Sequence, residues 1–397
     1  MPNSAETAFP MRALLAGARR KERSLLDFTR KLVQAESPSD SKSAVDACVA
    51  LTAAHLKQLG GRIKIHKQTH HGNALEVRFS PRSSDKAAVQ PILLLGHLDT
   101  VWPLGTLQSM PCRIRNGRLW GPGTLDMKAG VAMAATALEL LMEAGLLRRE
   151  IILLLNGDEE IGSPASRPIT ENLARPCSAV YVLEPAQGLA YKTERKGIGD
   201  WHIHVKGVAA HAGVDFEKGA NALLELARII ETVSGWTDRK RGLTVSVGVA
   251  AGGSKSNVVP AHAQADIDVR IPRLADGPRI ARKFAALRPA NPRCTLTVTG
   301  GINRPPMERS RGTARLFSKA HALARDLGFE LSEASTGGGS DGNFTAALGI
   351  PTLDGMGAVG EGAHASHESV LVEHLAPRTA LLAAMLIGYS GSRIAAF

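Results

Sequence analysis

Three runs of residues limit the folds open to this chain more than any other feature: "PILLLGHLDT" (91–100), "REIILLLNGDEE" (149–160) and "AVYVLEP" (179–185). Each is apolar almost without interruption, whereas a strand with one wet face would alternate. Such strands need cover on both faces. Between the first two, "DMKAGVAMAATALELLMEAG" (126–145) supplies it, reading as a helix that opens at Asp126 and stops at Gly145. The result is a βαβ unit and an α/β layer fold with a mostly parallel sheet. An amphipathic helical stretch over roughly residues 21–59 precedes it.

The rhythm changes between about Gly199 and Thr299. There "DWHIHVKG" reads as a strand, "GANALLELARIIETVS" as a helix, "GLTVSVGVA" and "AHAQADIDVRI" as strands, "GPRIARKFAAL" as a helix and "CTLTVTG" as a strand. This β-α-β-β-α-β order is the ferredoxin-like arrangement. It predicts an α+β domain over 197–303, inserted into an α/β domain made of 1–196 and 304–397. After the insertion the α/β pattern resumes with the helix "RGTARLFSKAHALARDLG", the strand "GIPTLDGMG" and the helix "VEHLAPRTALLAAMLIG".

Composition removes several function classes. The 397 residues carry 48 Lys+Arg against 37 Asp+Glu, a formal net charge of +11. The basic residues are scattered, aromatics are only 4%, and no nucleic-acid-binding motif is present, so the charge reads as a surface that attracts small anions. Cys48, Cys112, Cys177 and Cys294 lie far apart without a CxxC pair. They imply neither a disulfide framework nor a thiolate zinc site. The N-terminal stretch lacks the continuous apolar segment of a leader, and no apolar run is long enough to span a bilayer. The expectation is a cytoplasmic protein with neither nucleic acid nor membrane as partner.

The chemistry gathers at the carboxyl ends of the three runs. His97 and Asp99 follow the first, Glu159 and Glu160 the second, and Glu184 the third, at the sheet edge where α/β folds bind ligands. Asp126, at the opening of its helix, joins them at the positive end of a helix dipole. Late in the chain "GEGAHASHES" (360–369) offers His364 or His367; His364 has the better spacing, and His367 reads as loop surface. Each residue alone has an ordinary explanation, such as a helix cap or a solvated turn. Five strand and helix ends converging on one rim do not. Histidines and carboxylates without cysteine are the ligands of zinc, manganese or cobalt in a hydrolytic site.

The blocks "LLLGHLDTVWP", "GPGTLDMKAG", "NGDEEIGS", "LEP", "VKGVAAHAG", "SNVVP", "DVR", "TGGGSDGN" and "GAHASHE" resemble, in order, those of the M20 family of dinuclear zinc peptidases and amidohydrolases. The nearest likeness is to the glutamate carboxypeptidase branch. The resemblance implies two Zn2+ per subunit, with Co2+ or Mn2+ as alternatives. His97, Asp126 and Glu184 would hold one ion, and Asp126, Glu160 and His364 the other, with Asp126 bridging. Asp99 would accept a hydrogen bond from the second ring nitrogen of His97 and fix its tautomer. Glu159 would be the general base and acid.

It implies further that the inserted domain forms a homodimer, with His211 donating a hydrogen bond in the partner's active site and Asn257 as a second such residue. Arg270, which strand alternation puts on a polar face, would clamp the substrate's carboxylate. Gly339 and Ser340 would offer backbone N–H groups; as a nucleotide loop "TGGGSDGN" has the wrong glycine spacing. The implied reaction removes a C-terminal amino acid, glutamate among the candidates, from a small peptide or N-acyl substrate. The alternatives are an N-acyl-amino-acid deacylase and a catalytically silent dimeric metal-binding protein, against which the intact Glu159 speaks.

Overall fold

The computed structural model describes residues 11–81 and 89–387, so the first ten residues of the N-terminal stretch read for a leader lie outside it. The chain divides into two compact units. One comprises the chain up to Thr193, Arg309–Ser335 and the segment from Ser340 onward; the other comprises Glu194–Glu308 and Thr336–Gly339.

The first unit is built on strands β1 (Arg62–His66), β2 (Ala74–Phe79), β3 (Ile92–His97), β4 (Ile151–Asn156) and β5 (Ala179–Val182), completed by the short strand Thr352–Leu353. Their order is β1-β2-β4-β3-β5 and then Thr352–Leu353. β3 runs parallel to both β4 and β5, and Thr352–Leu353 runs parallel to β5. β1, β2 and β4 pair antiparallel at the other side. The fold class is therefore the expected α/β one with a mixed, mostly parallel sheet.

Every residue of β3 and β4 is buried, for the reason their composition suggests. Ile92 and Leu94 join a core with the helices Ala129–Glu143 and Leu375–Ile387, while Leu93 and Leu95 join a second core on the opposite face. Each such side chain contributes about 1.5–3 kcal/mol by leaving water, which anchors the strand ends where the candidate ligands sit.

Two helix expectations change. The helix read from Asp126 begins at Ala129; Asp126 has φ −113° and ψ 93° in an irregular turn, Thr124–Lys128. Its backbone N–H is taken by the Glu368 carboxylate rather than by a helical ladder, so the helix-dipole placement of Asp126 does not hold. Gly145, with φ 62°, does end that helix. The stretch over 21–59 is two helices, Glu22–Gln34 and Lys42–Gln58. Pro38 cannot continue a helix and restricts Ser37, whose hydroxyl instead donates to the Leu98 carbonyl at 2.6 Å.

The second unit follows the order read from the sequence: β6 (Gly197–Lys206), helix Ala222–Ser234, β7 (Thr244–Gly252), β8 (His262–Ile271), helix Asp276–Ala285 and β9 (Thr295–Arg304). The sheet order is β7-β8-β6-β9 with antiparallel pairing throughout. β6 shows the alternation of a one-sided sheet: Trp201, Ile203 and Val205 are buried with the helices, while His202, His204 and Lys206 are exposed. Among the described residues no helix is long and apolar enough to cross a membrane. All four cysteines are free.

Candidate metal centre

His97 ends β3 with its ring 1% exposed. Its Nδ1 lies 2.9 Å from the Asp99 carbonyl oxygen, which makes Nδ1 a donor and turns Nε2, the nitrogen that would bind a metal once deprotonated, toward the carboxylates. That Nε2 is 3.1 Å from Asp126 Oδ1 and 3.6 Å from Glu184 Oε1. On the other side, His364 Nε2 is 3.4 Å from Asp126 Oδ2 and 3.2 Å from Glu160 Oε2. The Asp126 carboxylate thus stands between two imidazoles with one oxygen toward each.

These spacings test whether a cation fits. A tetrahedral ion with bonds of about 2.0–2.1 Å separates its ligand atoms by about 3.3–3.4 Å, close to the observed edges on both sides. Glu160 Oε1 is buried without a hydrogen-bond partner, an arrangement that is costly for a carboxylate unless a cation faces it. Two overlapping triads of ligand atoms lie within 4.8 Å of one another: His97, Asp126 and Glu160, and His97, Glu159 and Glu184.

The electrostatics agree. Burial disfavours a charged His97, yet the carboxylates of Asp126, Asp99 and Glu184 carry its pKa well above the ordinary value. Hydrogen bonds to Asp126 and Glu160 raise that of His364 to about 10. Burial alone would raise Asp126, but the same histidines hold it far below the usual carboxylate range, and burial pushes Glu160 up. The carboxylates favour the protonated form of both rings, and a divalent ion would take over from those protons.

Asp99 has a second task beside the one expected. Its side chain is 3.5 Å from His97 Nδ1, and its backbone carbonyl is the closer acceptor at 2.9 Å. The carboxylate accepts N–H bonds from Glu159 and Glu160, each at 3.1 Å, and the Ser39 hydroxyl at 2.7 Å. The reason lies in the tight turn Glu159–Ile161, whose leading N–H groups have no acceptor of their own. Held by Asp99, the two adjacent glutamates reach overlapping groups: Glu160 lies 3.2 Å from His364 and near His97 and Asp126, while Glu159 joins His97 and Glu184.

Ser340 differs from the expectation. It is fully buried, its hydroxyl donates to Asp354 Oδ2 at 2.6 Å, and its N–H donates to Asn343 Oδ1 at 3.0 Å, so neither is offered to a substrate. Gly339 belongs to the second unit, where a Cβ would come within 2.6 Å of Ile198 Cδ1, which gives this glycine a packing reason. His367 lies on the surface as expected.

The remaining candidates sit in the second unit. His211 is exposed, and its Nδ1 accepts N–H bonds from Gly213 at 3.2 Å and Val214 at 3.1 Å. The proton is therefore on Nε2, a free-standing donor in form. Asn257, also exposed, is its neighbour: the Asn257 carbonyl accepts the Ala212 N–H at 3.0 Å. The Arg270 fork is engaged by Asp268, with Nε and Nη2 at 2.9 and 2.7 Å, and Nη1 lies 3.4 Å from the Gly337 carbonyl.

Sequence reasoning missed three supporting residues. Ser39 steadies Asp99, and Asp341 accepts Asn156 Nδ2 at 2.6 Å and the Ser163 hydroxyl, tying down the turn after β4. Glu368 binds the Asp126 turn. Asp341 and Glu368 lay inside quoted motifs, but only their distant partners reveal what they do.

A model of the peptidase family M20/M25/M40 matches residues 93–387. Carboxypeptidase G2 of Pseudomonas sp. (strain RS-16) is 29% identical over 382 residues, covering 94% of this chain and 91% of that protein. A succinyl-diaminopimelate desuccinylase of Stenotrophomonas maltophilia (strain R551-3) is 28% identical over 378 residues, covering 88% of this chain and 95% of that protein. The solved structure of aminopeptidase PepT from Bacillus cereus ATCC 10987 is similar with a TM-score of 0.78 at 24% identity, over 92% of this chain and 98% of that one.

Proposed function

The chain belongs to peptidase family M20/M25/M40, a hydrolase of the metallopeptidase kind, and from that premise we propose that it cleaves an amide bond next to a free carboxylate. The product would be a C-terminal amino acid, glutamate first among the candidates, released from a small peptide or N-acyl substrate. The observation that carries this reading is the Asp126 carboxylate, 3.1 Å from one imidazole and 3.4 Å from the other. We assign His97, Asp126 and Glu184 to one Zn2+, and Asp126, Glu160 and His364 to a second. When bound, such a pair would acidify a water and polarise the scissile carbonyl.

The chain's own residues do the rest. Glu159, which we keep out of the ligand set although its carboxylate lies beside His97 and Glu184, takes the proton of the attacking water and passes it to the leaving nitrogen. His211 presents Nε2–H to the developing oxyanion, serving the partner's site in a homodimer, with Asn257 beside it. Arg270 exchanges its bond to Asp268 for the substrate's carboxylate, so Asp268 keeps the fork oriented and charge-paired beforehand. A cytoplasmic location is part of this proposal, and the four free cysteines are compatible with its reducing environment.

The test is metal analysis of the purified protein, followed by a screen of pteroyl-glutamate compounds, dipeptides and N-acyl amino acids for amine release. Two divalent ions per subunit with release of free glutamate support the proposal; failure to retain any divalent metal sinks it. A second reading, an N-acyl-amino-acid deacylase, is favoured by the likeness to a desuccinylase over 95% of that protein's length. Turnover confined to short acyl groups in the same screen would select it.

A further inference from the structure

Glu368 is fully buried and forms no ion pair among the described residues. Its carboxylate accepts four N–H bonds instead. Oε1 takes the backbone N–H of Leu125 at 2.8 Å and of Asp126 at 3.0 Å; Oε2 takes the Gly123 N–H and the Trp102 indole N–H, both at 2.8 Å. An ionised carboxylate is acceptor-only with about four lone-pair sites, so donors and acceptors match one to one. A side-chain amide in its place would turn an NH2 group against two of those donors.

The four bonds join three segments that carry candidate ligands. Trp102 lies on the segment that leaves β3 through His97, Gly123–Asp126 form the irregular turn, and Glu368 itself sits in the loop of His364. Asp126 has no helical acceptor for its N–H, because its φ and ψ fall outside the helical region. Its backbone is therefore set from outside, by Glu368. We infer that Glu368 is the positioning residue of the metal centre, holding Asp126 so that its two oxygens face His97 and His364. This rests on the reading of Asp126 as a ligand, and it assigns the need for a carboxylate to a residue that touches neither ion nor substrate.

The test compares the full-length protein with Asp126→Asn, Glu368→Gln and Glu368→Asp, measuring Zn2+ affinity by competition with a chromophoric chelator and, separately, the thermal midpoint of the metal-free proteins. Loss of a partner that orients a ligand weakens metal binding by about 10–100-fold, and that is the expected loss for Glu368→Gln. At limiting zinc, kcat should fall with site occupancy while KM stays near the parent value, and excess zinc should restore much of the rate.

A folded Glu368→Gln protein with the parent's zinc affinity, even one with a lowered thermal midpoint, would overturn the inference and leave Glu368 a structural residue. Should the glutamine variant not fold, Glu368→Asp decides: it keeps the acceptor but loses the reach of one methylene, so weaker zinc binding supports the inference and parent affinity overturns it. The underlying reading fails separately. If the parent binds no zinc, or Asp126→Asn binds it as tightly as the parent, Asp126 is not a ligand and the inference goes with it.

Discussion

The two units of this chain hold their candidate chemistry in opposite ways. In the first, His97, Glu160 and Glu184 follow strands buried on both faces while Asp126 and His364 come from a turn and a loop, and the group is tied together by shared partners: Asp99 alone accepts three hydrogen bonds. In the second, the sheet is covered on one side, and His211 and Asn257 stand exposed on adjoining loops. Such a buried, over-determined centre suits a task that needs fixed distances, as a pair of cations does. Exposed donors with unused capacity suit contact with something that arrives, whether substrate or a second subunit. Mutations should therefore separate the units, with metal content sensitive in the first and catalysis at full metal load in the second.

The sharpest break of this contrast lies inside the first unit, because Glu159 and Glu160 are adjacent and are assigned different tasks. Glu159→Gln should keep both ions and lose about two to four orders of magnitude in kcat, the scale of general acid–base catalysis. Glu160→Gln should instead release one ion. Turnover and metal stoichiometry measured on both variants decide it; the opposite pattern would exchange their roles.

Next comes His211. His211→Ala should keep full metal content and lose about 10²–10³ in kcat, the cost of one oxyanion donor. If the residue serves the partner's site, mixing His211→Ala with Glu159→Gln subunits should restore about half the parent activity per heterodimer, since one of its two sites is then intact. Confirmed heterodimers without rescue would confine His211 to its own subunit. Loss of metal in His211→Ala would erase the contrast between the units altogether.

A smaller effect is expected from Arg270. Replacing the substrate's carboxylate by an amide, or Arg270 by Ala, should raise KM by about 10–100-fold, since a charge-assisted bond is worth about 1.5–3 kcal/mol. Combining both changes should cost little more than either alone. Additive losses would mean that the carboxylate is read elsewhere and that Arg270 serves only its bridge to Asp268.

What was legible in the sequence follows the same division. Continuous apolar runs identified the covered strands, and strand ends brought His97, Glu160 and Glu184 to one rim, because both signals are local. The alternation of β6 and the helix signals around it were likewise local, so the β-α-β-β-α-β order could be read. The turn at Asp126 could not, since the bond that shapes it spans 242 residues. Nor could Ser340, whose hydroxyl is taken by Asp354 across the loop, or the second task of Asp99, which holds the turn at Glu159 as well as facing the nearest ring. Motifs show which residues meet; which atom satisfies which donor depends on contacts distant in sequence.

The smallest expected effect is thermodynamic, and it asks whether the first unit is poised for cations even before they bind. In the metal-free protein the pKa of His364 is raised to about 10 by Asp126 and Glu160, from an ordinary value near 6.5. A raised pKa means that the folded state binds the proton more tightly than the unfolded one. The associated stability is fully present below pH 6.5 and is lost as pH climbs through about 10. His364 is half exposed, so solvent screens the pair, and the discounted contribution is about 1 kcal/mol, roughly 2–4 °C in Tm. Melting curves of metal-stripped protein should therefore fall by that margin between pH 7 and pH 10 relative to His364→Gln, which lacks the titrating ring. Loading with zinc should abolish the difference in slope, because the ion occupies the place of the proton, and zinc affinity itself should rise over the same interval as that competition is relieved. A metal-free protein whose Tm relative to His364→Gln is flat over this range would show that Asp126 and Glu160 do not hold the ring as a cation, and that the carboxylates come together only when the ions arrive.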